Sequence, residues 1–233
     1  DVIAANFKVS EDVLANLPEK EKYIFNGEVP GPIDEVKKSN VNGNVPSPFT
    51  FHMSDLKPHE FEAGKVWIID SKVFPVAQTI SAAIVEVEPG GMREMHWHPK
   101  SEEWDYFVQG KAKVGVFNSA SLARTFNYQA GDVGVIPIVA GHYIQNIGDE
   151  PLIFLEVFKN PIYSDESLNK WLATSPTQMV ADHLNISPET VEKLPQEEAA
   201  VVWYDQSRAQ GKKTPQNNGQ VEDLKLKANQ VFK

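Results

Sequence analysis

Through the middle of the chain, apolar and polar residues alternate in short runs separated by turn residues. In KAKVGVF, Ala112, Val114 and Val116 fall on one side and Lys111 and Lys113 on the other, the two-residue period of a half-buried strand. Strand-like runs recur between residues 49 and 158: FTFHM, KVWIID, TISAAIVEVE, REMHWH, EWDYFV, KAKVGVF, ARTFNY, DVGVIPI, HYIQNI and PLIFLEVF. No long helical period interrupts them. Many short strands at this spacing predict an all-β unit over residues 49–160, a closed barrel or jelly roll.

From Ser167 the apolar spacing lengthens to that of a helix: Leu168, Trp171 and Leu172, then Met179, Val180, His183 and Leu184. A third short helix is expected after Ser187 and Pro188, so residues 161–205 read as a C-terminal helical segment. The run QSRAQGKKTPQNNGQ has no strong apolar residue and opens a tail, 206–233, expected to be flexible. At the other end, residues 1–25 also read as short helices, with Ser10 as the N-cap of EDVLANL and Pro18 as its stop. The run between, 26–48, is rich in Pro and Gly and reads as a linker.

The two helical ends echo one another. A shift of 177 residues lays Ala4 on Ala181, Phe7 on Leu184, Val9 on Ile186, Ser10 on Ser187, Leu17 on Leu194, Pro18 on Pro195 and Glu21 on Glu198. Residues 1–25 are therefore read as the helical tail of a preceding domain of the same kind.

Composition narrows the possibilities. With 233 residues, 41% of them hydrophobic, the chain can bury one good core with a helical appendage. A net charge of −10 argues against nucleic acid or an anionic membrane as partner. No apolar run approaches the roughly 20 residues of a membrane span, so a soluble protein is expected, cytoplasmic or exported. The absence of cysteine excludes disulfides, thiolate metal sites and cysteine nucleophiles together.

Histidine and carboxylate thus remain as metal ligands, and residues 90–110 place them in a telling pattern. His96 and His98 point to one face of a strand while Trp97 points to the other. Pro99, Lys100 and Ser101 form a turn signal that can return the chain so that Glu103 reaches the same point. His142, some forty residues on, is the candidate fourth ligand. Three imidazoles and one carboxylate suit Mn²⁺ or Fe²⁺ with open positions, although Zn²⁺, Ni²⁺ and Cu²⁺ also accept imidazole. His52, His59 and His183 fall in no such pattern and read as ordinary histidines. Trp67, Trp97, Trp104, Phe107 and Phe154 lie in strands and are expected to fill the barrel; Trp97 or Trp104, if near a metal, could relay an electron.

The spacings G-x5-H-x-H-x4-E-x6-G (residues 90–110) and G-x5-P-x4-H-x3-N (residues 131–146) resemble the two cupin motifs. Val139 departs from them, standing where the second motif commonly has Gly. With their flanks (MREMHWHP, ARTFNYQAGDVG, HYIQNIGDEPLIFLEVF and SLNKWLA), about residues 1–200 are similar to the second cupin domain of bicupin oxalate decarboxylases. The resemblance implies a double-stranded β-helix or jelly-roll barrel with short α-helices at both ends, and it accounts for the echo.

In that family Mn²⁺ binds through residues matching His96, His98, Glu103 and His142, and dioxygen acts as co-catalyst. Arg93 matches an arginine that can meet a small dicarboxylate with two parallel hydrogen bonds. Glu156, in the apolar run LIFLEVF, matches a glutamate whose burial would raise its pKa and suit it to shuttle protons; alternatively it serves local hydrogen bonding. The family's other domain carries a lid whose acid directs the reaction to formate. The corresponding stretch here, Ser164-Asp165-Glu166-Ser167, is similar but not the same, so Asp165 and Glu166 are either lid acids or caps of the next helix. The implied reaction converts oxalate to formate and CO₂. Its rivals are an oxalate oxidase, giving CO₂ and hydrogen peroxide, and a manganese-binding structural cupin with little turnover. The expected partners are oxalate, a missing N-terminal cupin half, and further copies in a trimer or hexamer.

Overall fold

The computed structural model describes residues 1–38, 48–119 and 122–204, together with the backbone of 225–227. The chain divides into two compact units, Asp1–Pro46 and Ser47–Lys233. In the first, helix α1 (Val2–Phe7) is capped by Asp1 and closed by Lys8 in the left-handed conformation, and α2 (Glu11–Leu14) follows Ser10. The stretch read as a linker contains one further helix, α3 (Ile33–Lys38). Pro32 precedes it, Asp34 and Glu35 lie in its first turn, and Lys37 and Lys38 in its last, so its ends match the helix dipole although no residue of it is buried. Residues 39–47 of that stretch lie outside the described residues.

The second unit is built from two antiparallel sheets. The first carries β1 (His59–Phe61), β2 (Gly64–Ile69), β3 (Ser81–Val87), β5 (Glu103–Gln109), β8 (Asp132–Ile136), β10 (Leu152–Phe158) and β13 (Lys225–Lys227), in the order β1-β2-β3-β10-β5-β8-β13. The second carries β4 (Gly91–Trp97), β6 (Lys111–Ser119), β7 (Leu122–Gln129), β9 (Gly141–Asn146) and β11 (Glu166–Ser167), in the order β11-β4-β9-β6-β7, with β12 (Val201–Trp203) also paired to β4. The order is not sequential, as a jelly roll requires. FTFHM is not a strand: Ser54 and Asp55 favour a turn, the chain makes a single 3₁₀ turn at Met53–Asp55, and β1 begins only after Pro58.

Alternation along the strands sorts residues inside and out. Val85 and Val87 of β3, Phe107 of β5, Val114 of β6, Ile144 of β9, and Leu152 and Phe154 of β10 share one core. Toward the other end of the same strands, the inward positions become Glu103 and Asp105 on β5 and Glu156 on β10. One half of the interior is oily and the other carries chemistry. Phe107 and Phe154 fill the core as expected, but Trp104 is exposed on the outer face and Trp97 is turned outward against Trp171.

The segment read as wholly helical contains α4 (Leu168–Thr174), α5 (Thr177–Leu184) and α6 (Pro188–Val191) but also β11 and β12. Strands of two or three residues are too short to show a period, and they exist because β4 offers them a free edge. The helices cover Val180, Ala181 and Val191. The echo extends to backbone detail. Asn185 closes α5 in the left-handed conformation as Lys8 closes α1, and Ser187 precedes α6 as Ser10 precedes α2. Apart from 225–227, the tail 206–233 lies outside the described residues.

Candidate metal centre

His96, His98, Glu103 and His142 are all buried, and one potential ligand atom from each lies within 4.8 Å of every other. Two of these residues face each other across the β4–β9 ladder, where His96 pairs with His142. Glu103 opens β5 directly after the turn at 99–102. Each ring is fixed through Nδ1 by a backbone carbonyl: His96 by Glu94 at 2.7 Å, His98 by Ser164 at 2.9 Å and His142 by Ala140 at 3.0 Å. A carbonyl accepts only from N–H, so every Nε2 is left as a lone pair.

The Nε2 atoms of His98 and His142 stand 3.0 and 2.9 Å from Glu103 Oε2. Two lone pairs facing a buried carboxylate repel unless a cation lies between them. Ligands about 2.1 Å from a shared ion and at right angles sit roughly 3.0 Å apart, which matches. Burial opposes charge on His98, but Glu103 and the Ser164 carbonyl outweigh it and raise its pKa. Burial would raise Glu103 too, yet His142 and His98 hold it well below the usual carboxylate range. His96 is pushed well down by burial and then by the charge of Arg93, and so stays a neutral ligand.

Arg93 precedes His96 by three residues, an odd number that strict alternation would put on the opposite face. A bulge in β4 between Arg93 and His96 changes the parity, so both turn inward. Arg93 is completely buried. It binds Asp165 through Nη2, donates to Tyr163 Oη at 3.1 Å and to the Ala200 carbonyl at 3.3 Å, and lies 3.9 Å from Glu156 Oε1. Glu156 is pushed up to about 8 by burial first and the nearby Glu103 second, against the pull of Arg93. Of the two lid acids, Asp165 turns inward, where Arg93 lowers its pKa despite its burial. Glu166 is exposed, and the cap of α4 is Ser167.

Three residues that sequence reasoning overlooked join this group. Tyr163 donates to Glu156 Oε2 at 3.4 Å and reaches Asp165 at 3.3 Å; no periodic signal marks it. Asp105, two residues after Glu103, lies on the same inward face directly across from Glu156, and the alternation of EWDYFV could have revealed it. Burial, then Glu103 and Glu156, push its pKa well up. Glu94, buried at the bulge, accepts from Ser167 Oγ at 2.9 Å and so ties the lid to β4.

The family model described as Cupin matches residues 53–192. The chain is 52% identical over 202 residues to the oxalate decarboxylase OxdC of Bacillus subtilis (strain 168), an alignment covering 87% of this chain and 52% of that protein. Among solved structures it is similar to the formate complex of Lactobacillus farciminis oxalate decarboxylase, with 91% identity, a TM-score of 0.77 and coverage of 84% of this chain and 58% of that one. A structure concerned with the Mn(II) centres of Bacillus subtilis oxalate decarboxylase aligns at 51% identity with a TM-score of 0.80, covering 88% and 54%. The chain spans about half the length of the curated relatives it matches.

Proposed function

The chain belongs to the cupin family, and on that premise we propose that it is the second, manganese-binding cupin domain of an oxalate decarboxylase. His96, His98, His142 and Glu103 would hold the ion. When bound, Mn²⁺ supplies a Lewis acid and a one-electron relay, with dioxygen as co-catalyst. The net reaction takes oxalate dianion and one proton to formate and CO₂.

The observation that carries this reading is a fully buried arginine beside a cluster of three imidazoles and one carboxylate. A buried guanidinium needs an anionic partner, and its planar fork fits a carboxylate at two points. Asp165 plays that part in the substrate-free chain, so oxalate must displace it to reach Arg93. Glu156, neutral at pH 7 by its raised pKa, holds a proton beside the site, and Tyr163 keeps the carboxyl aimed. The clasp of Asp165 on Arg93 also favours a second reading, a manganese-binding domain with little turnover.

The echo of 178–202 in 1–25 supports a preceding cupin half. An oligomer, trimer or hexamer, is supported by the outer face of the first sheet. One cross-strand row there reads Trp67, Ile84, Leu155, Tyr106 and Val133, and charge is absent from it. No described helix is long and apolar enough to cross a membrane.

The test is to load the chain with Mn²⁺ and supply labelled oxalate in air at mildly acidic pH, following products by NMR with a peroxide assay alongside. Formate with CO₂ is expected. Arg93→Lys should keep its manganese and lose about tenfold to a hundredfold in kcat/KM, since Lys cannot make the two-point contact. Peroxide without formate would move the assignment to an oxidase, and intact oxalate beside bound Mn²⁺ to a binding domain.

A further inference from the structure

Each turnover of that reaction takes up one proton, yet the groups that would handle it are sealed: Arg93 and Glu156 are both fully buried. A route from solvent is required, and one side of the lid offers it. Half-buried Glu198 lies between α6 and β12, where it and Asp165 are close enough to share a proton. Its segment is pinned over the site, because Val201 pairs with Arg93 and the Ala200 carbonyl accepts from the Glu94 amide at 3.0 Å and from Arg93. Inward of Asp165, the Tyr163 hydroxyl bridges to Glu156 through contacts of 3.3 and 3.4 Å. A row of carboxyl, carboxyl, hydroxyl and carboxyl thus leads from a half-exposed residue to a sealed one.

We propose that Glu198 is the outer station of a proton relay that runs through Asp165 and Tyr163 to Glu156 and recharges the buried site; the inference rests on the decarboxylase reading. A proton arriving on a Glu198 oxygen passes to Asp165. Tyr163 Oη then accepts it while giving its own hydroxyl proton to Glu156 Oε2. No electron moves and no carbon bond changes in this transfer. The charged groups facing Glu198 are Asp165 from the lid and Arg93 and Glu94 from β4. Burial and the charge of Asp165 push Glu198 up to about 7, where an acid both binds and releases protons near neutrality.

A separate observation agrees. In the echo between residues 1–25 and 178–202 the identical positions are Ala4, Ser10, Leu17, Pro18 and Glu21, against Ala181, Ser187, Leu194, Pro195 and Glu198. The first four are apolar, capping or helix-stopping residues with structural reasons to recur. Glu198 is the one charged position repeated, and neither a helix nor a core needs it.

The test compares the Mn²⁺-loaded chain with Glu198→Gln, which keeps the size and hydrogen bonding of the side chain but cannot pass a proton, and with Glu198→Asp. Hydrogen–deuterium exchange at the buried carboxylic acid of Glu156 is followed by its infrared C=O band after transfer to D₂O, without substrate, with Glu156→Gln identifying the band. Exchange in Glu198→Gln should slow by about tenfold or more, and kcat should fall alike. Manganese content should not change, added imidazole buffer should restore the rate, and Glu198→Asp should stay near the parent. Tyr163→Phe cuts the same path inside and should also slow exchange, which keeps the test decisive if the Gln variant fails to fold. Exchange as fast in Glu198→Gln as in the parent overturns the relay. Slowed exchange in a chain that makes no formate upholds the relay and overturns the decarboxylase reading instead.

Discussion

Val139 holds its backbone at φ 58°, where a β-branched residue is crowded, in the turn that leads into His142. Its amide donates to the His98 carbonyl at 3.1 Å, so the strained turn also ties the two halves of the ligand set together. The departure from the motif visible in the sequence is therefore a departure in conformational cost. Glycine at this position would adopt the same φ without the clash while its greater freedom in the unfolded chain offsets part of the gain. Val139→Gly should raise stability by about 1 kcal/mol, or about 2–4 °C in Tm. Thermal unfolding checks this, and a fall in Tm would mean that the valine makes contacts worth more than the strain. At Gly110, φ is 82° and a Cβ would lie 3.0 Å from Leu152 Cα, so there the motif tolerates no such exchange.

Between the strands and the helices, the lid is a short element with several anchors. The Ser164 carbonyl accepts from His98, Asp165 clasps Arg93, and β11 pairs with β4 across Ser167 and His96. Ser167 is the most heavily used. Its hydroxyl donates to Glu94 and accepts from the Lys170 amide, capping α4. Ser167→Ala removes the cap and leaves one more oxygen of a buried carboxyl unsatisfied, at a combined cost of about 2–3 kcal/mol. Denaturant unfolding should register that loss, and hydrogen exchange should place it in α4 and the lid rather than in β5 or β10. Uniform loosening across the barrel would argue against a local latch.

For the barrel unit as a whole, the interior is apolar at one end and collects Arg93, the three histidines, Glu103, Asp105 and Glu156 at the other. Among the described residues, the Nε2 atoms of His96, His98 and His142 and both oxygens of Glu103 are buried without a hydrogen-bond partner. An ion that satisfies them binds the folded chain and not the unfolded one, so it stabilises by mass action. With free Mn²⁺ at a hundred times its Kd the gain is about 2.7 kcal/mol, roughly 5–10 °C for a chain of this length. Chelation should lower Tm by that amount and restoring Mn²⁺ should reverse it. A Tm indifferent to metal would remove the ion from these four residues.

Much of this was legible along the chain because it is local. Alternation marked nine strands in place, and the two-residue spacing of His96 and His98 set both on one face whatever the rest of the chain did. The helical spacing after Ser167 and the echo of it near the start were likewise carried by neighbouring residues. What depended on distant pairing was not legible. The bulge against β9 turns Arg93 inward, the free edge of β4 recruits β11 and β12, and the lid sends Asp165 in and Glu166 out. Tyr163 joins the site only because the chain leaving β10 folds back over it. Periodicity reports which face a residue takes within its own element. Which faces meet, and where one extra residue reverses the parity, is decided by contacts between segments far apart in sequence, and that part the tertiary structure alone supplied.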